Sequence, residues 1–216
     1  DTSGRLLINR TASRAIAGDN AKLQIENPSS GLLTLLRTSN DGDAAYLAIA
    51  KSRSASGTAC QSGDEIGRVT FVPHDGTDLN HHAAEIRAYV DTGIGSNDTP
   101  GYLTFHTNAG TTTTTERLRI KSDGGMRLQK SDGNGNFTIS RNASVTTTDQ
   151  PIGVIDFASN TAHTVQARVM GKTRGTSNVG GDLVFEVRAN GGSLDERVRI
   201  TGGGLVLIGR TASRNV

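Results

Sequence analysis

The chain repeats itself, and this constrains its fold more than any local signal, because matched segments of one chain should take the same structure and bury the same face. Residues 4–14 (GRLLINRTASR) return as residues 204–214 (GLVLIGRTASR), 200 positions on. Residues 116–120 (ERLRI) return as 196–200 (ERVRI), 80 positions on. At that second offset Gly124 falls on Gly204, and Leu103-Thr104-Phe105 falls on Leu183-Val184-Phe185. Residues 66–71 (IGRVTF) resemble residues 152–157 (IGVIDF). The organisation is therefore a long unit, 4–123, a short unit, 124–203, and the start of a further one, 204–216. The extra length of the first lies before Ile66, where residues 23–26, 32–38 and 45–51 each read as an additional strand. Both ends fall inside the period, so the expectation is a segment of a longer repetitive chain.

Within the units the apolar period is two. Leu118 and Ile120 alternate with Arg117 and Arg119, and Val198 and Ile200 with Arg197 and Arg199, as a half-buried strand requires. Val69 with Phe71, Ile155 with Phe157 and Leu103 with Phe105 share faces in the same way. The run of threonines at 111–115 is β-branched and suits a pleated surface. Asp41-Gly42, Asp75-Gly76, Asp123-Gly124-Gly125, Asp132-Gly133 and Gly202-Gly203-Gly204 are turn signals between the runs. Residues 79–90 also fit a short helix capped by Asp78. Their counterpart, 164–169 (TVQARV), alternates and is rich in β-branching, so residues 85–90 are read as a strand with Ile86, Ala88 and Val90 on one face. The fold class is all-β, built of short antiparallel strands.

Such a chain is poorly supplied with core. Only 34% of its residues are hydrophobic and 4% aromatic, it has no Trp, and 27 positions are Gly. Ordering costs roughly 1.5 kcal/mol per residue, and burial returns about 25 cal/mol per Å² of apolar surface. Closing three identical chains around one axis would relieve both this shortage and the exposed edges of many short strands. No run approaches the ~18 apolar residues of a membrane span, and no N-terminal stretch reads as a signal peptide. A net charge of +2 is too small for a nucleic-acid binder, which shows a basic face. The single Cys60 excludes an intrachain disulfide and a cysteine zinc site, leaving a free thiol in a Ser/Gly/Thr loop.

Residues 116–125 (ERLRIKSDGG), taken with 204–211 (GLVLIGRT), resemble the repeat of bacteriophage tail-fibre proteins. There a Glu-Arg-apolar-Arg-Ile strand leads through a Ser/Asp/Gly turn into a Leu/Val/Ile-Gly-x-Thr strand. Residues 47–53 (LAIAKSR), 62–69 (SGDEIGRV) and 100–107 (PGYLTFHT) are similar to the same fibres, whereas 134–150 match least. The resemblance implies an elongated, modular, homotrimeric β fibre, located on the virion and extracellular. It further implies contacts with other tail or baseplate proteins and with a host glycan or outer-membrane receptor, the receptor tip often lying elsewhere. Some members end in a self-cleaving chaperone domain, which nothing in these residues matches. A fibre-borne glycan depolymerase and a cellular surface adhesin are the alternatives.

No residue is assigned to catalysis, to a cofactor or to a metal. On a strand His81 and His82 face opposite ways and cannot form one intrachain metal pair. His74, His106 and His163 stand alone, and the His-x-His motif of some fibre tips is absent. Asp41-Gly42-Asp43, Asp75-Gly76-Thr77-Asp78 and 132–136 (DGNGN) lack the full ligand series of a calcium loop. Glycan hydrolysis needs two carboxylates about 5 to 9.5 Å apart, for which Glu65, Glu85, Glu116, Glu186 and Glu196 are available. Glu116 and Glu196, however, are one repeat position and read as partners of neighbouring arginines. No nucleophile elbow is present, and the glycine runs at 191–192 and 202–204 precede strands rather than helices, which removes the anion-binding logic. The chain is read as a non-enzyme. Arg117, Arg119, Arg197 and Arg199 would form a basic ring in a trimer, or pair across subunits with Glu116 and Glu196. The sequons at Asn9, Asn97, Asn136 and Asn142 are expected to stay bare in a phage protein made in bacteria.

Overall fold

The computed structural model describes residues 3–28, 32–130, 133–141, 147–159, 162–175 and 180–209. The Asn142 sequon, Asp132 of its turn, and the end of the further unit beyond residue 209 lie outside the described residues. Every regular element among the described residues is a strand. They are β1 (Leu6–Ile8), β2 (Leu23–Ile25), β3 (Glu65–Phe71), β4 (Ala84–Val90), β5 (Gly101–Thr107), β6 (Thr115–Ile120), β7 (Met126–Leu128), β8 (Pro151–Ser159), β9 (Thr164–Thr173), β10 (Gly181–Arg188), β11 (Leu194–Ile200) and β12 (Val206–Ile208). The protein is all-β, and within the stretch 79–90 that also fitted a helix, Ala84–Val90 form the strand β4.

Two compact units divide the chain, Asp1–Gly135 and Asn136–Val216. Each holds one five-stranded antiparallel meander, β3-β4-β5-β6-β7 in the first and β8-β9-β10-β11-β12 in the second. The meanders share their register. Leu103 stands opposite Ile120 and Phe105 opposite Leu118; 80 positions on, Leu183 stands opposite Ile200 and Phe185 opposite Val198. Ile120 pairs with Met126 as Ile200 pairs with Val206. Residues 126–128, which open the second sequence period, thus form the closing strand of the first sheet. Glycines at positive φ make the turn into that strand in both units, Gly124 at 82° and Gly204 at 84°.

Three sequence expectations need correction. β1 and β2 pair in parallel, not antiparallel. The link between them, residues 9–22, has the dozen or more residues that a parallel crossover needs. Residues 32–38 and 45–51 form no strands. Instead of pairing as a ladder, they border an open depression of about 700 Å³ lined by Leu35, Leu36, Ala45 and Tyr46. Arg37 closes the tip of this excursion, bonding the Asp41 carboxylate and the Asp43 carbonyl (2.9 Å). Finally, of the threonines at 111–115 only Thr115 enters a strand. Asn108 diverts the others into a turn, its Oδ1 accepting the N–H groups of Gly110 (2.8 Å) and Thr111 (2.7 Å).

Candidate functional site

Strand pairing sorts side chains onto two faces of each sheet. In the first, Val69, Phe71, Ile86, Ala88, Leu103, Phe105, Leu118, Ile120, Met126 and Leu128 fall on one face. This apolar face is largely bare. Val69, Phe71 and Leu103 are 45%, 53% and 42% exposed, and their register mates in the second sheet, Ile155, Phe157 and Leu183, are 46%, 56% and 41% exposed. Met126 and Leu128, with their counterparts Val206 and Ile208, are also exposed. Among the described residues the buried hydrophobic side chains are Val90, Met170 and Val184. Each unit therefore leaves uncovered the face that the hydrophobic effect would bury first.

The opposite face is polar and better covered. In the first sheet it centres on Glu85, whose carboxylate is enclosed by Arg87, Thr114, His82 (Nδ1 at 2.8 Å) and Arg68 (3.5 Å). Burial works against ionisation of this group, but hydrogen bonds from Arg87, Thr114 and His82 outweigh it and hold the carboxyl at about 2. Glu65 joins the network through Arg68 (2.5 Å) and the Tyr89 hydroxyl (3.1 Å). Tyr89 stacks on Tyr102 with ring centroids 5.1 Å apart, and the Arg119 guanidinium lies 4.4 Å from the Tyr102 centroid. His106 bonds Thr104 through Nε2 at 2.9 Å. Burial, followed by the charge of Arg87, pushes its protonation to lower pH.

In the second sheet the same face is built around Val184, Met170 and the buried Arg199. Arg199 bonds Glu196 (2.8 and 2.9 Å), Asp182 (2.7 Å) and Asp149 (2.7 Å). Glu196 foremost keeps its guanidinium charged despite burial.

A β-bulge decides which charges meet. Leu118 pairs with Phe105 and Glu116 with His106, so Arg117 is an extra residue. The skip brings Glu116 and Arg119 onto one face, where they form a bidentate pair at 2.6 and 3.0 Å. Arg197 is the corresponding extra residue in the second sheet, and Glu196 with Arg199 the corresponding pair. Strict alternation had placed Arg117 with Arg119 and left Glu116 opposite. The arginine–glutamate pairs expected between subunits form inside one chain, while Arg117 donates to Thr107 (3.2 Å) and Arg197 to Asp195 (3.1 Å).

The other sequence candidates are scattered. His74 accepts the Gly76 N–H (3.0 Å), and His163 lies at positive φ in a turn. His81 and His82 part company, one beside Asp75 and the other on Glu85. Asp75, Asp78 and His81 bring one ligand atom each within 4.8 Å of one another. Asp75 Oδ1 also accepts the N–H groups of Thr77 and Asp78. Glu186 faces Arg168 and Lys172, each at 3.8 Å, so all five candidate carboxylates have basic neighbours. Cys60 is a free thiol whose Sγ lies 3.4 Å from the Lys51 carbonyl.

No family model and no curated protein matches the chain. Among solved structures it is similar to the carboxy-terminal domain of the bacteriophage T5 L-shaped tail fibre, at 12% identity over 85% of this chain and 93% of that one, with a TM-score of 0.40. It is also similar to the same domain carrying its intramolecular chaperone domain, at 12% identity over 85% of this chain and 64% of that one, TM-score 0.41.

Proposed function

We propose that the chain is a structural segment of a phage tail fibre: a row of β modules that three copies build about one axis, serving host attachment by holding a receptor-binding tip away from the particle. The observation that carries this reading is the pair of bare apolar faces, which recur at matched register positions in both sheets. A single such patch is an ordinary binding site. The same patch at the same register in consecutive modules is what a repeating contact between parallel copies of one chain requires. Covering a Phe or Leu side chain contributes about 1.5–3 kcal/mol, and each module offers several. The sequence motifs shared with tail fibres supply the biological setting.

The reading is non-catalytic. It is supported by the candidate carboxylates' engagement with arginine and lysine rather than with an open, water-filled pair. Weak contacts to host glycans along the segment would add through multivalency. Negative-stain electron microscopy of the purified chain tests the proposal: rods of constant width are expected, and compact particles the size of one chain would contradict it.

A further inference from the structure

Gly67 in β3 and Gly153 in β8 occupy the same register position, opposite Ala88 and Gly171 and beside a bulge in each sheet. Neither has a positive φ, so the backbone does not demand glycine. A glycine inside a strand is destabilising relative to Ala and often marks a close approach. The close approach is visible in both units. A β-carbon on Gly67 would overlap the Ile49 side chain, whose Cβ would lie 3.2 Å away; one on Gly153 would lie 2.5 Å from Ile139 Cγ2 and 2.8 Å from its Cβ. Among the described glycines, these are the two whose added β-carbon would overlap a side chain.

The two isoleucines sit in matched settings. Neither residues 44–53 nor residues 133–141 form a ladder. Two residues beyond each isoleucine a basic side chain is anchored: Lys51 Nζ lies 3.6 Å from Asp64, and Arg141 donates to Gln150 at 2.7 Å. Asp64 and Gln150 are themselves equivalent, since their carbonyls accept the N–H groups of Val90 and Thr173, each at 2.9 Å. Two residues before each isoleucine stands an exposed apolar residue, Leu47 or Phe137. In the first unit Ile49 borders a hollow with Val69, Ile86, Ala88 and Leu103, and so lies on the bare apolar face.

We infer that each unit carries a strap, residues 44–53 in the first and 136–141 in the second, fastened to its own sheet by an isoleucine that fills a notch left by glycine. The fastening replaces backbone pairing as the device that orders the strap. It also extends the apolar face past the edge strand, with Leu47 or Phe137 at a fixed position. The inference concerns contacts within one chain and stands whether or not three chains assemble.

Disulfide trapping tests it, in a Cys60→Ser background. The doubles Ile49→Cys/Gly67→Cys and Ile139→Cys/Gly153→Cys place cysteines at positions close enough for a disulfide. Mild oxidation should join each pair within one chain, seen by mass spectrometry as a linked peptide pair from the single-chain band of a non-reducing gel. Failure of both pairs to link, or links that join two chains, would overturn the inference. Gly67→Val gives a second reading. With the strands intact by circular dichroism, trypsin should cut after Lys51 and Arg53 at least tenfold faster than in the parent chain; equal rates would contradict the strap.

Discussion

The two sheets share register, bulges and bare apolar face, yet their opposite faces are built from different chemistry. Glu85 of the first stands where the second has Arg168, Arg87 where it has Met170, and Thr104 where it has Val184. Tyr102, under the guanidinium of Arg119, corresponds to Asp182, ion-paired with Arg199. The backbone register and the apolar face are thus held constant, while the covered polar face has been solved twice, once with a buried carboxylate and once with a buried guanidinium and apolar neighbours. What must be the same in consecutive modules is the surface left open, which is the surface a repeating partner would meet.

Substitutions at equivalent positions should therefore have unequal effects. Glu85→Ala leaves the half-buried Arg87 without its main partner and should cost about 1.5–3 kcal/mol, measured as a lowered urea midpoint for the first unit. The pH dependence follows from the same group. The Glu85 carboxyl is held at about 2 against an ordinary 4.5, so its stabilisation is present above about pH 4.5 and is lost as pH falls towards 2. Glu85→Gln should flatten that acid limb in thermal melts taken from pH 5 to pH 2. Thr104→Val, which installs the second sheet's residue, removes the Thr104 hydrogen bond to the His106 ring, whose buried Nδ1 has no partner among the described residues. It should cost about 1–3 kcal/mol. The smallest effect belongs to Arg168→Ala: its bidentate pair with Asp156 is partly exposed, and the loss should stay below about 1 kcal/mol. Equal losses for Glu85→Ala and Arg168→Ala would break the distinction between the faces.

Much of this architecture is legible in the sequence. The offset of 80 between residues 116–120 and 196–200 carries the pairing of the last three strands of each sheet, and the alternation of Val69 with Phe71 marks the bare face. The bulge at Arg117 is not legible, because alternation alone cannot show where one residue is skipped, and that skip decides that Glu116 meets Arg119 within the chain. The straps escape for a related reason: Ile49 and Ile139 lie 90 positions apart while Gly67 and Gly153 lie 86 apart, so no single offset aligns both. Residues 32–38 and 45–51 are apolar enough to read as strands, but a strand also needs a neighbouring backbone, and apolar content says nothing about whether one is present. The Glu85 network was invisible as well. His82, Arg87 and Thr114 are brought to that carboxylate by the turn before β4, by β4 itself and by the Asn108 turn, elements that sequence spacing does not bring together.

Copies of the same chain are what we propose to cover the bare apolar faces. Sedimentation equilibrium of the purified chain at micromolar concentration tests it most directly. A single species of three times the 22.6 kDa chain mass is the expected result; a folded, cooperatively melting species of one chain mass would contradict it.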